Sequence, residues 1–569
     1  MNATQYRIHG PRRPGRRRVL QGGVSLMAGA AAAFLLACGG DDDEQAQSTT
    51  TSSAQGTAAA ASEAGTPKRG GRLLEYWGTS TNSLNPVTDF NQGHLLAGIK
   101  VYDRLISTRL GRDTAKEYLL EAAQSVEQPD PTTVIFRLKP GLRYQDRAPV
   151  SGRAVSADDI VKSQIYVRDN PRAENSLFQT NSMQSVEAPD AQTVVFKLRA
   201  PNAYLFSAGQ LSNSGAQGII PAELLDNLDT NYQIGSGPYQ LAEYELNVRY
   251  LFKRFPGYRD TDKGLPYIEE KELRILTDSA AQESAFRSEQ IHQWTPGVVP
   301  VAETLKKDLG SKLDIDEYVS LSMVTFSANV HKPPFNDVRV REAIYRILNR
   351  QQYLELLDSG KGAVPPGPLS SGLEEYQLDP TQTEKYFKQD PRAARQLLEA
   401  AGYDFNREIE MSTINGQRNN QGMEIFQQQA SQAGIKVRVT PLSFAEWLQQ
   451  KVFVGNWETW YAQHPSYDTP LVPFRLQRSK GFGLHAYNGL WDPQVDAMID
   501  KSEQTTDQNE RIKLVKDVQI ALLDQYTPFI ITHNAMTYSA RWKYVKGWEV
   551  NPAAPTQPMY RTELWLDKG

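Results

Sequence analysis

Ser125–Pro140 reads SVEQPDPTTVIFRLKP and, 60 residues further on, Ser185–Ala200 reads SVEAPDAQTVVFKLRA. In each copy a Pro-Asp pair marks a turn, and an alternating run follows: Val134, Phe136 and Leu138 in the first, Val194, Phe196 and Leu198 in the second. Successive side chains of a strand point to opposite faces, so each run predicts a strand that buries its Val/Phe/Leu side and exposes Arg or Lys. The two strands are expected at neighbouring edges of one sheet. Between them, Ser156-Ala157-Asp158-Asp159-Ile160 opens a helix, with Ser156 as N-cap and the two aspartates at its positive end.

Outward from this repeat the chain keeps alternating strands and helices. Upstream, Gly70–Trp77 predicts a strand, Ser83–Pro86 a turn and Gly93–Ile106 a helix. Downstream, Gly235-Ser236-Gly237-Pro238-Tyr239 is a glycine-rich turn entering a strand; it lacks the GK[ST] ending and the following helix that a phosphate loop requires. Glu243–Lys253 and Leu273–Leu276 predict strands, and Ser279–Ser288 a helix. Val340, Ile344 and Leu348 share a helical face, and Ala393–Tyr403 is a helix with a glycine end. Glu408–Leu442 alternates helix and strand, as an α/β layer does. Asn456–Asp468 reads as a strand with Trp457, Thr459 and Tyr461 on one face, Glu458 and Trp460 on the other, running into a Pro/Ser loop. Two helices follow over Gly489–Leu523, and Thr527–Thr532 predicts a buried strand returning toward the first part of the chain.

Several of these segments resemble the family 5 solute-binding proteins of ABC importers. The carriers are Gly70–Gly78 with Ser83–Pro86, the two repeat copies with Gly141–Tyr144, Gly235–Tyr239, and Arg254–Tyr258. The most specific is Pro333-Pro334-Phe335-Asn336-Asp337-Val338-Arg339-Val340-Arg341 leading into its helix. The resemblance implies an α/β, two-lobed periplasmic-binding-protein fold of the large kind, with an extra sheet-rich subdomain in the first lobe. It divides the chain into lobe I (68–102, 215–325 and 535–569), a subdomain of lobe I (103–214) and lobe II (326–534), with the change of lobe near Phe326–Asn329. It implies binding without catalysis: a small solute held between lobes and delivered to membrane permease subunits by closure. Oligopeptide is the first ligand class, oligosaccharide or a metal chelate the alternatives. The ligand residues it implies are Trp457, Trp460, Tyr461, Gln463, His464, Tyr467, Asp468, Asn415 and Trp77. Peptide-binding members carry an acid for the ligand's ammonium within this stretch; here Tyr461–His464 offers none, and Asp468 matches only the acid that follows the proline. His464 can complete a chelate, or act as a hydrogen-bonding loop residue. Arg339 and Arg341 read as structural.

The ends of the chain bound where it works. Six arginines and no acid precede an apolar run, Val19–Leu36, that closes on Leu35-Leu36-Ala37-Cys38 with the chain's single cysteine. This is a charged n-region and an h-region ending in a lipobox-like site, with Arg16-Arg17-Arg18 resembling a twin-arginine signal. Residues 1–37 are therefore expected to be an export signal and Cys38 the lipidated first residue. Residues 38–67 are then a flexible tether: beyond Cys38 they carry no aliphatic side chain larger than Ala, so they cannot offset their ordering entropy. Such a coil reaches about 30 Å. Six of the 62 basic residues and none of the 66 acidic ones precede Cys38, so the chain from there on stands near −10. No basic stripe or zinc-finger spacing points to nucleic acid. No G-x-S-x-G or H-E-x-x-H spacing supports the rival reading, a secreted lipoprotein enzyme. No cofactor is expected, and the protein is read as a monomer on the outer face of the cytoplasmic membrane.

Overall fold

The computed structural model describes residues 65–568, except 80–82, 90–98, 109–117, 174–175, 177, 208–209, 213–216, 231–233, 453, 479–491, 551 and 553–560. The repeat folds as two hairpins, Ala123–Asp130 with Thr133–Leu138 and Met183–Asp190 with Thr193–Leu198. They join through their second strands, which places Val134 opposite Phe196 and Phe136 opposite Val194. The alternating strands are thus the two central ones, not edges, because they carry the buried Val/Phe/Leu face while their charge-bearing partners lie outside. Phe136 and Phe196 meet edge to face at 5.9 Å. Each turn is tied by its aspartate: Asp130 accepts from Thr132 N–H and Asp190 from Gln192 N–H, both at 2.8 Å. Leu138 N–H donates to Gln192 O and Leu198 N–H to Thr132 O, so each copy closes the other's turn.

The helix between the copies spans Ala157–Asp169. Asp159 accepts from Ser156 N–H at 3.0 Å and pairs with Arg153, which also holds Glu223. The acids here cap and clamp. A four-stranded sheet lies beside this subdomain, with Arg72–Trp77 parallel to Glu270–Ile275, followed in order by Arg249–Arg254 and Tyr239–Glu245. The glycine-rich turn before Tyr239 has a packing reason. A Cβ on Gly235 would stand 2.2 Å from Val101 O, and Gly237 N–H donates to that same carbonyl at 2.7 Å. Only glycine lets the two backbones meet this closely.

The remainder is built on an eight-stranded sheet. Glu408–Ile414, the helix Gln417–Ser431 and Lys436–Leu442 form a parallel strand-helix-strand unit, and Thr459–Ser466 and Ser322–Ala328 extend its sheet. Phe326 stacks on Phe426 of that helix at 4.7 Å, at the centre of a large apolar core. Aspartates cap the helices here: Asp337 before Val338–Ile347, Asp390 before Pro391–Ala400, Asp492 before Pro493–Gln504 and Asp507 before Gln508–Asp524.

One strand ties the halves together. Phe529–Trp542 pairs first with Ser322–Ala328 and then, from Met536 on, with Leu313–Val319. It is longer than the predicted Thr527–Thr532, since the apolar run stops at Ile531 while burial does not. His533 and Asn534 are buried as hydrogen-bonded polar residues, which apolar periodicity cannot flag. Among the described residues no helix is long and apolar enough to cross a membrane.

Candidate functional site

In open α/β sheets, ligands bind outside the carboxyl ends of the parallel strands. Here that edge comprises the end of Glu408–Ile414, the end of Thr459–Ser466, and the adjoining start of Ser322–Ala328 beside the crossing strand. Most of the residues expected from sequence lie along it, at different depths.

Trp457 and Trp460 are 1% and 0% exposed and stack on each other at 4.2 Å, with Trp447 at 5.0 Å from Trp460 and Ile414 and Leu442 around them. The alternation read from sequence put these two indoles on opposite faces. That reading is corrected: the strand begins only at Thr459, so Trp457 stands outside its register and folds back onto Trp460. Glu458 turns away to pair with Arg407 and to accept from Glu410 N–H at 2.8 Å. Tyr461 is buried against Tyr353 at 5.7 Å, over Gly422. His464 meets Thr325 Oγ1 through Nε2 at 2.9 Å, and its ring edge meets Phe529 at 5.0 Å. These four side chains form a buried wall behind this edge.

Gln463 is exposed, Tyr467 half-buried and Asp468 buried just before the short helix Leu471–Arg475. Asn415 follows the neighbouring strand, donating its N–H to Leu442 O at 2.7 Å and accepting from Asn420 Nδ2 at 3.0 Å. Trp77 ends the first strand of the other sheet and packs half-buried on that sheet's own core. Cys38 lies outside the described residues.

The structure adds a charged cluster that sequence reasoning did not single out. Asp358, at the end of the helix Arg350–Asp358, accepts from Arg418 through both carboxylate oxygens and faces His533 Nε2 at 3.0 Å. Asp358 and His533 are fully buried and Arg418 is 12% exposed. Arg418 Nε reaches Gly297 O at 3.4 Å, on the loop before the helix Val299–Leu309. Burial holds the His533 pKa below its ordinary value, against the pull of Asp358, so the imidazole is neutral at physiological pH. The signal available in sequence was position alone: Arg418 opens the helix that follows a parallel strand, at that strand's carboxyl end.

The model of the bacterial extracellular solute-binding proteins, family 5 (middle part), matches residues 117–480. The dipeptide-binding protein of Escherichia coli K12 is 25% identical over 490 residues, covering 80% of this chain and 88% of the relative. The glutathione-binding protein GsiB of Pectobacterium atrosepticum is 26% identical over 441 residues, covering 74% and 81%. Among solved structures, the oligopeptide-binding protein AppA of Bacillus subtilis, in complex with a nonapeptide, superposes with a TM-score of 0.76 at 19% identity, over 88% of this chain and all of that one. NikA of Brucella suis, in complex with Fe(III)-EDTA, gives 0.69 at 19%, over 87% and all of its chain.

Proposed function

The chain belongs to the bacterial extracellular solute-binding proteins of family 5, and from that premise we propose that it is the lipid-anchored receptor of an ABC importer for oligopeptides. Members of the family bind solutes and work outside the cytoplasm. The peptide assignment is supported by the relatives, which are a dipeptide-binding and a glutathione-binding protein. It is supported also by the polar edge described above. Gln463, Tyr467, Asp468 and Asn415 are the proposed ligand contacts from lobe II, and Trp77 the contact from lobe I. Trp457, Trp460, Tyr461 and His464 hold that edge rigid from behind.

Function follows from closure. A ligand that touches both lobes stabilises the shut form only by its differential affinity, and inverting a 1:99 ratio takes about 10⁴-fold. The observation that carries this reading is the crossing strand, one continuous element that pairs with Ser322–Ala328 over its first part and with Leu313–Val319 over its second. We keep the lobe boundaries given above as part of the proposal, together with monomeric state, delivery to a permease, and anchoring through Cys38 at the end of a tether of roughly 30 Å reach. Replacing Cys38 with Ser releases the protein from sedimenting membranes if the anchor is right.

The deciding experiment isolates the full chain from cells grown on a rich extract, unfolds it, and identifies the released small molecules by mass spectrometry. Peptides of a narrow length range are expected. Recovery of sugars or a metal complex overturns the peptide assignment while leaving the receptor role intact.

A further inference from the structure

A cavity of about 570 Å³, which shares no lining residue with that edge, lies on the first sheet. Its rim is the first stretch of the folded body, Lys68–Arg72, directly after the low-complexity segment. Arg274 and Glu272 of the neighbouring strand, His292, and Leu566 and Lys568 near the far end of the chain complete it. In a chain whose net charge is negative, this lining holds five cations and one carboxylate.

The carboxylate is already neutralised: Glu272 accepts from Arg274 at 2.9 Å and from Arg72 at 3.1 Å. Three more acids sit outside the lining, Glu270 on Arg72, Asp567 on Lys68 and Glu289 on Lys568. The last two pairs are about half exposed on both sides, where water screens them and either lysine can turn to another anion at little cost. Arg69 has no ion pair among the described residues.

His292 makes the floor a donor. Its side chain is almost wholly buried, and its Nδ1 accepts from Leu74 N–H at 3.3 Å, which places the ring proton on Nε2. That Nε2–H has no hydrogen-bond partner among the described residues. Burial first, then Lys568 and Arg274, hold the imidazole pKa down to about 3, so the ring stays a neutral donor across the physiological range. A donor that opens on the cavity without a protein partner, ringed by cations, matches an anion with several acceptor oxygens.

We propose that this cavity is an anion site that takes a phosphate group, with the His292 Nε2–H as its fixed donor and Arg69, Arg274 and Lys568 as its charges. The phosphate arrives either free, as a monoester or inorganic ion, or as the diester headgroup of a membrane lipid. The test uses the full chain and follows its thermal midpoint and titration heat with two probes, inorganic phosphate and glycerophosphoglycerol, against sodium chloride at equal ionic strength. Saturable stabilisation by either probe beyond chloride is expected, the monoester-like ion marking a soluble ligand and the diester a lipid headgroup. His292→Phe, which keeps ring shape and removes the donor, weakens that response about tenfold or more. Because the buried variant can fail to fold, Arg69→Gln at the exposed rim is measured beside it and lowers the affinity severalfold by charge alone. Equal responses to chloride and both probes, or an Arg69→Gln variant that binds as the parent does, overturn the proposal.

Discussion

Asp358 is the residue on which the charged cluster turns, because it is the only acid in it and has no exposure to water. Removing one partner of a buried ion pair leaves the other uncompensated, a loss of about 3–5 kcal/mol. Asp358→Asn is therefore expected to lower the unfolding free energy by about 3 kcal/mol in urea titration, whereas Arg418→Met, which leaves the anion to His533, shifts the pH dependence as well. A loss below about 1 kcal/mol in Asp358→Asn would show that water reaches the pair. None of this was legible in sequence: Arg418 lies 60 residues from Asp358 and 115 from His533, and no local pattern links them.

Lys271 sets a second residue-scale expectation. It is fully buried beside the Glu75–Lys100 pair, and its ammonium lies over the Tyr239 ring at 5.1 Å. Burial, opposed by Glu75 and reinforced by Lys100, pulls its pKa down to about 7. The unfolded chain holds that proton up to about pH 10.4. Between those values the unfolded state binds more protons than the native one, so stability rises with pH across this window. Lys271→Met removes the penalty that remains at low pH. Its gain in thermal midpoint is expected to be larger at about pH 6 than at about pH 9, and equal gains at both would sink the argument.

At the scale of elements, the repeat and the cap at Ser156 could be read because each depends on neighbours within a few residues. Val134, Phe136 and Leu138 alternate, and Ser156 stands one residue before its helix. The tryptophan stretch could be read as a strand but not as a packing arrangement, since its start at Thr459 depends on the partner strands Ser322–Ala328 and Glu408–Ile414. Gly422 shows how tightly these elements fit. It lies inside the helix Gln417–Ser431, where Ala is intrinsically better by about 1 kcal/mol. Yet a Cβ there would stand 2.1 Å from Tyr461 Cε1, and Tyr461 is locked by Tyr353. Overpacking costs about 1–3 kcal/mol and outweighs the helix gain. Gly422→Ala is accordingly expected to destabilise, by denaturant unfolding, and a stabilised variant would mean that the Tyr461 wall yields.

At the scale of the molecule, the two-lobed architecture was readable from the resemblance, but not the contact that joins the segment at Ala203–Tyr204 to the helices Leu471–Arg475, Pro493–Gln504 and Gln508–Asp524. Ala203 N–H donates to Glu503 O at 2.8 Å, Tyr204 packs on Leu471, and the Arg511 guanidinium stands 5.7 Å from the Tyr204 ring. A polar cavity of about 820 Å³ opens beside it, lined from one side by Thr180–Ser182 and Arg199–Asn202 and from the other by Arg475, Arg478, Asp496 and Asp500. The join is therefore one backbone hydrogen bond and the packing of one ring at the edge of a wide polar gap. On the proposed closure mechanism, such a contact would bias the shut form. Burying one large apolar side chain is worth about 2 kcal/mol, which is roughly a thirtyfold change in the ratio of open to shut forms. Tyr204→Ala should shift the ligand-free protein toward the open form, seen as a larger radius of gyration in small-angle scattering, with the thermal midpoint little changed because the ring lies outside either main core. Tyr204→Phe keeps the packing ring and should scatter as the parent does. If Tyr204→Ala lowers the midpoint and leaves the scattering curve unmoved, the tyrosine supports a fold and does not hold a closure.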